Sequence, residues 1–146
     1  MIVDCRLQIS DLVRGAMMTP EEMKKRTKEF ALRCMKLADV LPRTRSGNIV
    51  ATQLIRSATS VGANYRATCR ARSDPDFISK MGITLEEADE SVYWMEIIVE
   101  SGMQSERRVA TLLKEGNELV SIFVASLNTV QRRLRKKSKP NLKSAI

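Results

Sequence analysis

From residue 19 onward, apolar side chains recur at spacings of three and four, and no stretch keeps the two-residue alternation of a strand. Thr19-Pro20-Glu21-Glu22 reads as a capping box, with Thr as N-cap, Pro at the first helical position and Glu three residues after the cap. A first helix is predicted from there through Met23, Phe30, Ala31, Cys34, Leu37, Ala38 and Leu41, ended by Pro42. A second is predicted after Ser46-Gly47-Asn48, running to about Ala71. A third carries Pro75 in its first turn and ends around Ser101-Gly102. A fourth is capped by Ser105 and runs to about Lys137, before Pro140. Four helices joined by short loops imply an all-α fold, an antiparallel up-down-up-down four-helix bundle. The expected organisation is a flexible leader over residues 1–18, the bundle over 19–137 and a basic disordered tail over 138–146.

Turning each segment by 100° per residue assigns its faces. The second helix places Val50, Ala51, Leu54, Ala58, Val61, Tyr65 and Cys69 on one core arc. Its opposite side carries the small residues Ser57, Ser60, Ala63, Asn64 and Ala67, which permit another backbone to approach closely, flanked by Arg56, Arg66 and Arg70. The third helix is predicted to bury Phe77, Met81, Leu85, Ala88, Val92, Met95 and Val99. Its other side interleaves Glu86, Asp89, Glu90, Glu96 and Glu100 with Ile83, Tyr93, Trp94 and Ile97. A solvated face rarely mixes acids with a Trp and two Ile, so this side is expected to meet another helix of the bundle or a neighbouring subunit. The fourth helix has one long seam, from Val109 through Leu112, Leu113, Gly116, Leu119, Val120, Phe123, Leu127 and Val130 to Leu134.

The formal charge of +8 over 146 residues narrows when it is mapped. Residues 1–130 carry 18 Lys and Arg against 17 Asp and Glu, whereas Arg132, Arg133, Arg135, Lys136, Lys137, Lys139 and Lys143 follow with no acid among them. Within the bundle, residues 40–73 hold six arginines and no acid, and residues 74–106 hold nine acids against Lys80 alone. The second and third helices are therefore electrostatic complements. Their arginines either pair with Glu86, Glu90 and their neighbours, inside the bundle or across subunits, or bind phosphates. The terminal cations have no acidic counterpart of their own in the sequence and read either as a solvated helix end favoured by the helix dipole or as a nucleic-acid contact arm.

The chain has no histidine, which removes the commonest general base, His-dependent nucleophile pairs and every His-containing metal site, the di-iron carboxylate bundles included. Aromatic residues are only 4% of the chain, too few for a base-stacking platform. Cys5, Cys34 and Cys69 are scattered and form no C-x-x-C, so reduced thiols in a cytoplasmic protein are expected, with Cys34 and Cys69 filling the core. No catalytic residue, cofactor or metal is assigned. The longest uncharged run, Leu119 to Gln131, falls short of the roughly 20 apolar residues a membrane span needs.

The segment from Gln53 to Ala67, QLIRSATSVGANYRA, together with Asp76-Phe77 and the run from Glu86 to Glu96, EEADESVYWME, resembles the bacterial four helix bundle protein family. That family includes proteins encoded in intervening sequences of 23S ribosomal RNA genes, the S23 family, and is similar to the accessory variability determinant of diversity-generating retroelements. The resemblance covers about residues 21–130. It implies a homopentamer of four-helix bundles arranged as a short barrel and no enzymatic activity, with nucleic acid or a reverse transcriptase contacted through basic surface. Asn64 and Glu90 fall in the most characteristic motifs, where helix-to-helix or subunit contact is implied. Glycine often follows the Asn-x-x-Glu part of the motif, and Asn64-Tyr65-Arg66-Ala67 departs from it.

The expectation from sequence is thus a homo-oligomeric bundle, a pentamer by resemblance, acting as a nucleic-acid-associated accessory protein. RNA or DNA phosphates would be met by Arg132, Arg133, Arg135, Lys136 and Lys137. Subunits would meet through Arg56, Arg66, Arg70, Glu86, Glu90, Trp94 and Ile97. The competing expectation is a protein-interaction scaffold that binds no nucleic acid.

Overall fold

A computed structural model describes residues 18–139. It contains four helices, α1 (Pro20–Asp39), α2 (Arg45–Thr68), α3 (Asp74–Glu100) and α4 (Glu106–Ser138), and no strand among the described residues. Almost all of the expected leader and tail lies outside that range.

Each helix begins where a short polar side chain can satisfy the open backbone donors of its first turn. Thr19 forms the full capping box, its Oγ1 accepting from Glu22 N at 3.1 Å while Glu22 Oε2 accepts from Thr19 N at 2.8 Å. Thr44 caps α2 by accepting from Gly47 N at 3.1 Å, so that helix starts before Ser46-Gly47-Asn48 rather than after it. Ser73 and Ser105 cap α3 and α4. The α3–α4 turn is a Schellman motif: Gly102 takes φ +77°, its N–H reaches Val99 O at 3.0 Å, and Met103 N–H reaches Ile98 O at 3.0 Å.

Every helix packs on two others: α1 on α2 and α4, α3 on α2 and α4, with the α1–α4 contact the sparsest. The interior is closed by fully buried Phe30, Leu54, Tyr65, Phe77, Met81 and Phe123, among others, and the rings of Tyr65 and Phe123 stack across the centre at 6.2 Å. Arg26 bridges the sparse α1–α4 side, its Nη2 lying 2.6 Å from Glu115 Oε1 and 2.8 Å from Glu118 Oε2.

The burial pattern differs from the single-arc reading of α3. Leu85 and Val99 are only partly buried, whereas Thr84, Ser91 and Ile98 are fully so. Because α3 lies between α2 and α4, it buries two arcs, and the one toward α2 is polar. Ser91 Oγ lies 3.0 Å from Ser57 Oγ, and Thr68 Oγ1 lies 3.3 Å from Thr84 Oγ1, all four side chains being solvent-inaccessible. Each hydroxyl also reaches a carbonyl one turn back in its own helix, as Ser91 Oγ does to Glu87 O at 2.8 Å, so no polar group is stranded. The small-residue side of α2 therefore divides. Ser57 is sealed against α3, while Gly62 and Ala63 face α1, where an added Cβ at Gly62 would sit 3.3 Å from Thr27 Oγ1.

Candidate nucleic-acid interface

The last two turns of α4 divide their cations into two sets. Arg133 and Lys137 are four residues apart and share a helix face, and that face meets the start of α3. Arg133 Nη2 donates to Asp74 Oδ1 at 2.9 Å and Nε to Oδ2 at 3.3 Å, a two-pronged geometry suited to guanidinium and carboxylate. Lys137 Nζ lies 3.7 Å from the same carboxylate. Asp74 sits in the first turn of α3, where the helix dipole favours an acid, and its side chain is only 11% exposed. Two of the terminal cations, Arg133 and Lys137, thus have an acidic counterpart supplied by another helix, which corrects the reading of the whole segment as unpaired. Asp74 escaped notice because the charge was counted within the segment; the bundle connectivity, which sets the end of α4 beside the start of α3, would have pointed to it.

Arg132, Arg135 and Lys136 form the second set. They are exposed and have no acidic partner among the described residues. They remain available to an anion, in a segment that α4 keeps helical.

The arginines of α2 divide in the same way. Arg56 is taken up within the chain: its guanidinium pairs with Glu90 and lies 3.3 Å from Glu87 Oε2, and its Nε donates to Gln53 Oε1 at 3.1 Å. Trp94 Nε1 donates to Glu90 Oε1 at 3.1 Å, and Tyr93 packs edge-on against Trp94 at 5.1 Å. The hydrogen bond from Arg56 is the main reason the Glu90 carboxyl is held below its usual range, helped by the Trp94 bond; the same hydrogen bond raises Arg56. Arg56, Glu90 and Trp94 are therefore one intrachain cluster bridging α2 and α3, and Ile97 packs partly buried against the core. Arg66, Arg70 and Glu86 are exposed and lack an ionic partner among the described residues. Arg66 shares a cleft between α1 and α2 with Glu21, Lys24, Lys25 and Lys28. Lys24, Lys25 and Lys28 of α1, to which the sequence reading assigns no role, complete this surface.

Elsewhere the chemistry is quiet. Burial pushes the Cys34 thiol up to about 12, so it stays protonated and unreactive at neutral pH. Among the described residues no group of His, Cys, Asp and Glu could hold a metal ion, and no helix is long and apolar enough to cross a membrane.

Residues 21–125 match the family described as 23S rRNA-intervening sequence protein. The chain belongs to that family. The solved structures agree: a protein of unknown function from the S23 ribosomal protein family of Bacteroides thetaiotaomicron is similar at 30% identity and a TM-score of 0.66, over 71% of this chain and 96% of that one. No curated protein matches. The matched region holds α1, α2, α3 and most of α4. The cations from Arg132 onward lie beyond it.

Proposed function

We propose that the chain is a non-enzymatic, homo-oligomeric accessory protein that associates with nucleic acid by contacting backbone phosphates. The observation that carries this reading is the set Arg132, Arg135 and Lys136 on the exposed end of α4, which no acid among the described residues neutralises. Guanidinium and ammonium groups without acidic partners displace condensed counterions from a polyanion, giving affinity without sequence readout. Arg133 and Lys137 contribute less than their number suggests, since Asp74 already holds them. RNA and DNA are both candidate partners, as is a protein such as a reverse transcriptase.

The up-down-up-down sense is part of this proposal. It is supported by the α2–α3 pairs, because moving from Ser57 to Thr68 along α2 moves the partner back from Ser91 to Thr84 along α3. Assembly into a pentameric ring is carried over from the family resemblance.

The test is binding of the purified protein to RNA and to duplex DNA over a range of salt. A triple change of Arg132, Arg135 and Lys136 to Ala is expected to weaken binding and flatten the log–log salt slope by about 2.7 for duplex DNA, at about 0.9 per phosphate released. Binding that does not depend on salt, or that survives the triple change unaltered, overturns the reading.

A further inference from the structure

Two unpartnered surfaces of the bundle differ in shape and charge. One is the groove between α1 and α2, a cleft of about 290 Å³. Leu32, 51% exposed, and Met35, 39% exposed, stand along one wall, with Gly62 and Ala63 opposite. Its far end is basic on balance: Lys28 and Arg66 have no acidic partner among the described residues, while Glu21 beside them is paired with Lys24 at 3.2 Å. The other surface is the outer ridge of α3. There Ile83, 43% exposed, and Tyr93, 51% exposed, flank Glu86 and Asp89, two acids that are likewise unpaired among the described residues. Groove and ridge are therefore complementary in charge, and each exposes two large apolar side chains.

The spacing matches as well. Lys28 and Met35 are seven residues apart on α1, and Glu86 and Tyr93 are seven apart on α3, in each case a rise of about 10 Å along one side of a helix. An α3 ridge laid along the groove sets Glu86 against Lys28 and Arg66 while Tyr93 meets Leu32 and Met35. We infer that the α1–α2 groove receives the α3 ridge of a second copy of this chain. This rests on the homo-oligomeric reading above and names the two faces that carry it. Because the faces belong to different parts of the molecule, the contact is head-to-tail. Each copy keeps one free groove and one free ridge, so the assembly closes as a ring or grows as a filament. Arg56, Glu90 and Trp94 are not the contact itself; they hold α3 against α2 from within and fix the ridge.

The experiment is native mass by light scattering on the full chain, with far-ultraviolet circular dichroism confirming helicity. A groove variant, Lys28→Glu with Arg66→Glu, and a ridge variant, Tyr93→Glu, alter exposed positions and should each fall to the mass of a single chain. Met35→Glu serves as a second groove variant on the apolar side and should do the same. Mixing the groove and ridge variants leaves one intact groove and one intact ridge, so a two-chain species is expected and larger assemblies are not. An assembled wild type whose mass is unmoved by these changes, or a mixture that stays single-chain, overturns the assigned faces while leaving homo-oligomerisation standing; a single-chain wild type overturns both. Nucleic-acid binding is read separately through Arg132, Arg135 and Lys136, so its loss bears on the functional reading alone.

Discussion

Asp74 holds Arg133 across the α3–α4 contact through two hydrogen bonds, of 2.9 and 3.3 Å, and draws Lys137 toward the same carboxylate. This one acid sets how much of the cationic end of α4 is free. Replacing it, Asp74→Ala, is expected to cost about 1.5–3 kcal/mol of stability in urea unfolding, as for a hydrogen bond to a charged group lost at a largely buried carboxylate. The same change should tighten nucleic-acid binding, because two more cations become available, and steepen the duplex salt slope by up to about 1.8. A variant that is less stable yet binds no better would show that Arg133 and Lys137 do not reach phosphate.

The helices were legible from the sequence because caps and apolar spacing are local properties. Thr19, Ser105 and Pro42 each mark a boundary through chemistry confined to one turn, and α1 and α4 were traced almost to their ends. The failures are tertiary. Ser57, Thr68, Thr84 and Ser91 carry hydroxyls and so count as polar in any periodicity, yet they are buried because each satisfies its oxygen within its own helix and so needs no water. Pairing was the least legible part of the site. Charge segregation showed that α2 and α3 are complementary, but a single helical wheel cannot tell that Arg56 reaches Glu90 while Arg66 turns toward α1.

The two glycines Gly47 and Gly82 should respond to alanine with opposite signs. A Cβ at Gly47 would lie 1.9 Å from Pro42 O, a backbone atom that cannot move without reshaping the α1–α2 turn. Gly47→Ala is expected to destabilise by about 3 kcal/mol, at the upper end of overpacking costs. At Gly82, inside α3, nothing lies within 4 Å of the new methyl, so Gly82→Ala should stabilise by about 0.5–1 kcal/mol through reduced backbone entropy in the unfolded chain. Thermal or urea unfolding of the two variants measures both.

The buried hydroxyl seam makes a prediction about size rather than polarity. Changing Ser57 and Ser91 together to Ala removes both hydroxyls and strands none, so the double variant should remain within about 1 kcal/mol of the parent. Ser91→Leu keeps no hydroxyl either but pushes α3 away from α2, and should cost about 1–3 kcal/mol. If the double alanine variant proves the more damaging of the two, the hydrogen bond and not the close approach holds this interface.

Acid should loosen the Arg56–Glu90–Trp94 cluster in a window that its geometry defines. The Glu90 carboxyl is lowered from 4.5, first by the hydrogen bond from Arg56 and then by that from Trp94. A depressed folded value means that the cluster's contribution to stability is present above about pH 4.5 and disappears as the pH falls through the lower, folded value. Protonation replaces a charged acceptor with a neutral one, so the indole N–H bond weakens and the environment of the chain's single Trp changes. Trp94 emission should therefore titrate with a midpoint below 4.5. Asp76 is also lowered, chiefly by the backbone N–H of Arg72, and will add to acid unfolding, but it does not touch Trp94 and should not shape the emission curve. Arg56→Ala removes the larger of the two effects on Glu90 and should move the midpoint upward. Glu90→Gln should abolish the transition. A midpoint indifferent to Arg56 would mean that the ion pair does not persist in solution, leaving α3 placed by its buried seam alone.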